Sequence, residues 1–186
     1  MTRNFPYSLL LALGLVFFAF GCVDDDDPEI ENPEEVITRV RLTLIPGNVT
    51  NDIVTYSFVD TDGDGGNDPI ITSAGDLVAN AVYSGSITFD NEDESITEEI
   101  EEEDEEHQIF YVVSNGLNLT VNYSDSDGDG NPVGLLTQFL TGDASAGNLT
   151  VILRHEPDKS AMALPGNPAA AGGETDIEIS FPVTIP

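Results

Sequence analysis

Two stretches of the chain place carboxylates at a spacing that suits a hard cation. Residues 58–69 read FVDTDGDGGNDP, and residues 122–132 read NYSDSDGDGNP. In the first, Asp60, Asp62 and Asp64 alternate with small residues and lead to Gly65; in the second, Asp125, Asp127 and Asp129 lead to Gly130. This is the opening half of a D-x-D-x-D-G calcium loop, in which side-chain oxygens precede a glycine that permits a sharp turn. Calcium takes roughly six to eight oxygen ligands, so three carboxylates only begin its shell. The closing half departs from the pattern. Ile71 and Leu136 stand where a bidentate glutamate belongs, and the ligand position before it holds Asp68 in one loop and Val133 in the other. The candidate calcium ligands are therefore Asp60, Asp62, Asp64, Asp68, Asp125, Asp127 and Asp129, with an affinity on the order of 10⁻⁴–10⁻³ M expected of an incomplete shell. Two other readings fit the same residues. Asp-Gly pairs make chain reversals without any metal, and loop carboxylates can contact a ligand directly.

A second constellation involves the two histidines. His107 follows an acidic tract in EEHQ, and His155 ends an apolar stretch in RHEPDK. With Glu106, Glu156 and Asp158 they offer imidazole and carboxylate donors for a transition metal, provided that the segments 108–114 and 149–155 bring their ends together. The competing expectation is that each histidine closes a strand, with Arg154 and Lys159 pairing locally with Glu156 and Asp158. The chain has no G-x-S-x-G, H-E-x-x-H, P-loop or dinucleotide fingerprint. Ser95, Ser114 and Ser160 have no neighbouring base to activate them. A non-enzymatic role is expected.

The elements that must position these groups are strands. Apolar and polar residues alternate in 37–45 (ITRVRLTLI) and 81–89 (AVYSGSITF), 53–59 is rich in β-branched and aromatic residues, and further candidate strands are 108–114, 117–124, 134–141, 149–155 and 176–185. A period of two marks half-buried strands. Eight such segments separated by Gly, Asn and Asp clusters predict a single all-β domain: an antiparallel β-sandwich, or alternatively an eight-stranded small barrel. Pro182 lies inside the last segment and predicts an edge strand or a bulge. Residues 91–107, NEDESITEEIEEEDEEH, break the pattern. Ser95 and Glu98 have capping-box spacing and Ile96 and Ile100 share a helical face, so a short acidic helix or loop is expected around 95–106. The segment 156–176 reads as a long surface loop.

Charge narrows the partners. The formal net charge is −30, and beyond residue 21 the only basic residues are Arg39, Arg41, Arg154 and Lys159. Such a surface repels phosphate backbones, which argues against nucleic-acid binding, and favours cations.

The N-terminus indicates location. Arg3 precedes a short apolar run, LLLALGLVFFAF, too short for a permanent membrane helix and typical of a secretory signal. The sole cysteine, Cys22, follows immediately. This junction resembles a bacterial lipoprotein signal, which implies a signal peptide over 1–21, acylation of Cys22, and anchoring in a lipid bilayer through the acyl chains. Residues 22–35 (CVDDDDPEIENPEE) form an acidic tether, and 36–186 the β-sandwich-like domain.

Gly21-Cys22 with its acidic tether, then EEIEEEDEEHQIFYVV, YSDSDGDGNPVGL, LRHEPDKSA and GGETDIEISF, resembles short acidic outer-membrane lipoproteins of the Bacteroidota. Some of these carry the description "type 1 periplasmic binding fold", a two-lobed α/β architecture larger than this chain. The resemblance implies a lipid-anchored place in the outer membrane at the cell surface, and an outer-membrane TonB-dependent transporter as a partner. The combined expectation is a calcium-stabilised binding or accessory module. The alternatives are a metal- or ligand-capture lipoprotein serving such a transporter, and a structural envelope protein.

Overall fold

The structure is a computed structural model that describes residues 36–48, 52–62, 66–91, 94–160 and 167–186. The expected signal peptide, Cys22, the tether and Asp64 lie outside the described residues. Nine strands and two short helices follow one another: β1 (Arg39–Pro46), β2 (Val54–Val59), β3 (Ile70–Ala74), β4 (Val82–Asp90), α1 (Thr97–Glu102), β5 (His107–Val113), β6 (Leu119–Tyr123), β7 (Leu136–Thr141), β8 (Ser145–His155), α2 (Pro168–Ala171) and β9 (Glu174–Ile185). One sheet has six strands in the order β3-β2-β1-β4-β7-β6, the other three in the order β5-β8-β9, and every pairing is antiparallel. The fold is all-β with two packed sheets. Neither sheet closes on itself, so the barrel alternative is set aside in favour of the sandwich.

Register explains why these residues pack as they do. Val40, Leu42 and Leu44 on β1 stand opposite Phe58, Tyr56 and Val54 on β2, and opposite Phe89, Ile87 and Gly85 on β4. Alternate residues share a face, so these rows form one continuous apolar surface while Arg39 and Arg41 face solvent. The second sheet answers with Ile109 and Tyr111 on β5, Leu149, Val151 and Leu153 on β8, and Ile179, Phe181 and Val183 on β9, all buried. Rings cross the interface: Tyr56 meets Phe181 at 5.7 Å, and Tyr111 meets Phe139 edge-on at 5.8 Å. Each such buried side chain contributes roughly 1.5–3 kcal/mol. Burial, and then neighbouring Tyr83, pushes the Tyr56 hydroxyl up to about 12, so it stays neutral in this core.

Four local features refine the expectations. β3, IITSA, is an additional strand on the outer edge of the larger sheet; every one of its residues is exposed, so it lacks the alternation that marks the others. Helix α1 forms inside the acidic tract, and Ile96 and Ile100 are buried as their shared face requires. Its start is fixed differently from a capping box: Thr97 Oγ1 accepts from the Phe89 N–H and donates to the Phe89 carbonyl, while Ser95 bridges to Asp90. Within the expected loop 156–176, Pro168 opens the short helix α2, whose Ala171 packs on Phe110 and Ile152 of the second sheet's outer face. Pro182 lies on β9, an edge strand, opposite Asn148; the register shift of this pair falls away from it, at Leu153/Arg154. A proline lacks the N–H that a central strand would need.

Candidate metal centre

β5 begins where β8 ends. In their antiparallel register His107 stands opposite His155, and the inward rows Tyr111-Ile109 and Val151-Leu153 run directly into these two imidazoles. The order Glu106-His107 on one strand and His155-Glu156 on the other is therefore a mirror: pairing the histidines also pairs the glutamates. The Glu156 N–H donates to the Glu106 carbonyl at 2.7 Å, closing the strand end. Glu156 itself sits at φ 49, a backbone region that non-glycine residues rarely occupy and that recurs at functional sites.

The side chains converge. Ligand atoms of Glu106, His155 and Glu156 all lie within 4.8 Å of one another, with His155 Nε2 at 3.9 Å from Glu106 Oε2. Among the described residues this is the group in which three potential metal ligands come so close. His155 is 5 % exposed, and its Nε2 is buried without a hydrogen-bond partner. His107 is fully buried and stacks on it, with ring centroids 4.9 Å apart and planes 12° from parallel. The His107 Nδ1 lies 3.2 Å from the Glu103 carbonyl oxygen, while its Nε2 is buried and unpartnered. Buried polar atoms almost always find partners, and an orphaned one points to a water or ion. One imidazole nitrogen between two carboxylates is a donor set that can coordinate a divalent cation.

A buried ion pair supports this end of the sandwich. Lys159 Nζ donates to Asp127 Oδ2 at 3.0 Å, both side chains being almost fully buried, and also donates to the Asp104 carbonyl. One ammonium thus ties three segments together: the second aspartate loop, the turn carrying Glu106, and the chain just after Glu156. The local network expected between Arg154, Lys159, Glu156 and Asp158 is accordingly corrected. Lys159 reaches Asp127, Arg154 donates to the Gly173 carbonyl, and Asp158 accepts from Ser160. Asp158 is exposed and stands apart from the metal group. Gly173 packs behind the site at φ 73, where a Cβ would come within 2.4 Å of the His155 carbonyl oxygen, so only glycine fits.

The aspartate loops are built from internal hydrogen bonds. Asp125 accepts from the Gly134 N–H through Oδ1 at 2.8 Å and from the Leu136 N–H through Oδ2 at 2.7 Å. Asp127 Oδ1 accepts from the Asp129 and Asn131 N–H groups, an Asx-type turn. Burial disfavours the Asp127 carboxylate, but the Lys159 bond and the Asn131 N–H outweigh it and hold the carboxyl below its ordinary value. Asp129 is exposed. In the first loop Asp62 accepts from the backbone and side-chain amides of Asn67, which keep its carboxyl low, and Asp60 accepts from the Asp62 N–H. Asp68 is exposed. Asp104 and Glu103 are contributors that residue patterns do not single out, and for Lys159 those patterns indicate the wrong partners. The available signal was that Lys159 is the only lysine in a chain of net charge −30.

No helix of the described residues is long and apolar enough to cross a membrane. Comparison with protein-family models, with curated proteins and with solved structures yields no match.

Proposed function

We propose that this chain is a non-enzymatic, lipid-anchored surface protein whose β-sandwich binds one divalent metal ion at Glu106, His155 and Glu156. The observation that carries the reading is the buried, unpartnered Nε2 of His155 beside two carboxylates. An imidazole nitrogen left without a partner costs about 1–3 kcal/mol, which a bound cation would recover. The acidic surface concentrates cations near the site. The signal-like N-terminus with Cys22 at its junction supports an outer-membrane anchor, and from there the ion is held for, or passed to, a transporter in the same membrane.

The test is calorimetry of the mature chain with Zn2+, repeated on E106Q/E156Q and H155A. One ion per chain in the wild type, lost in the variants, supports the assignment; binding that is unchanged in all variants refutes it. Mass spectrometry of the protein from its host should find Cys22 acylated, and an unmodified thiol refutes the anchor.

Calcium is the second reading. It asks for oxygen donors alone, which the loop of Asp60, Asp62, Asp64 and Asp68 supplies better than a histidine-containing group. The Asn67 amides keep Asp62 ionised there. A rise in melting midpoint with millimolar Ca2+ that disappears in D60A/D62A supports it, and no rise removes it.

A further inference from the structure

We infer that His107 is a second nitrogen ligand of this centre, so that the ion is held by two imidazoles and two carboxylates and belongs to the borderline transition metals, Zn2+, Ni2+ or Cu2+. The inference rests on the proposed metal site and adds to it a residue lying outside the three-atom cluster.

The tautomer of His107 carries the argument. A carbonyl oxygen only accepts, so Nδ1, 3.2 Å from the Glu103 oxygen, bears the proton. In the neutral imidazole, the form that binds metal, Nε2 is then the lone-pair nitrogen, and it is buried with no hydrogen-bond partner. Histidines that bind metal characteristically donate their other ring N–H to a carbonyl or carboxylate, which fixes the tautomer and aims the lone pair. His107 has that arrangement already in place. An inert core histidine would instead satisfy both nitrogens.

The position fits as well. His107 and His155 are direct cross-strand partners, they project from the same face of the sheet, and their rings stack at 4.9 Å. Two nitrogens reach one ion at about 2.0–2.1 Å each, so the near-parallel rings must tilt toward each other on loading. Glu106 and Glu156 follow at the same strand ends, joined by the backbone bond between them, with their carboxylates beside His155. Two nitrogens and two oxygens suit tetrahedral zinc or tetragonal copper, whereas calcium and magnesium require oxygen.

The experiment loads the mature protein with substoichiometric Cu2+, so that scattered surface carboxylates do not compete, and counts coordinated imidazoles by pulsed EPR. Two in the wild type and one in His107→Gln is the expected result, with Zn2+ affinity falling at least about 10-fold in the variant. A single imidazole in the wild type overturns the inference and needs no variant to do so. In that case the metal site itself still stands, provided that E106Q/E156Q abolishes binding. Copper that shows no imidazole coupling at all overturns both readings. Circular dichroism of metal-free His107→Gln confirms that any loss is not a loss of fold.

Discussion

The two aspartate loops are nearly the same sequence, DTDGDGGN and DSDGDGN, yet the protein uses them differently. The first lies between β2 and β3, where the exposed Asp62 carboxylate accepts from the neighbouring Asn67 amides. The second is drawn into the sandwich, with Asp125 tied to two backbone amides and Asp127 locked on Lys159. An acidic turn is thus a local motif whose role is decided by what packs against it. In the second loop an internal ammonium stands where the spacing alone suggested an external cation. That ammonium also braces the segments that carry Glu106 and Glu156.

The sharpest way to break this contrast is to remove the lysine. Lys159→Met leaves Asp127 charged and buried, which costs about 3–5 kcal/mol and should appear as a large fall in denaturation midpoint. Substituting both partners, D127N/K159M, should cost less than the single change, because neither charge is then stranded. A K159M protein as stable as the wild type would show that the second loop is as independent as the first.

Acid should produce a smaller effect of the same kind. The Asp127 carboxyl lies below its ordinary value of 3.8 in the folded protein. A depressed folded value means that the stabilisation is complete above the unfolded value and is lost as pH falls through the folded one. The stability gap between wild type and D127N should therefore be full near neutrality and close at pH values below 3.8. A gap that persists unchanged in strong acid contradicts the pairing.

The smallest effect is expected in the first loop. Asp62→Ala removes solvent-exposed hydrogen bonds, and without added metal its melting curve should be indistinguishable from the wild type. A clear loss would place this loop in the same structural class as its twin.

Sequence patterns revealed the sandwich wherever one face of a strand is buried. The rows Val40-Leu42-Leu44 and Tyr83-Ile87-Phe89 alternate because one side of each strand meets the core. β3 escaped notice because both its faces meet solvent, and pairing with β2 is a tertiary fact. For the site, the glutamate–histidine pairs at 106–107 and 155–156 were visible as donors, and antiparallel pairing supplied what they lacked: a reason to be adjacent. The Lys159–Asp127 bond spans 32 residues and joins two loops, so no periodicity announces it. The nearer acids Glu156 and Asp158 were the obvious partners by distance along the chain, but Lys159 turns inward and both of them remain exposed.

The central claim is that the histidine-bearing strand ends, rather than either aspartate loop, hold the ion. Anomalous scattering at the zinc edge, from crystals of the mature protein grown with Zn2+, tests it most directly. One strong peak about 2.0–2.1 Å from His155 Nε2 is the predicted result. A principal peak among Asp60, Asp62 and Asp68, or beside Asp125 and Asp129, would contradict it.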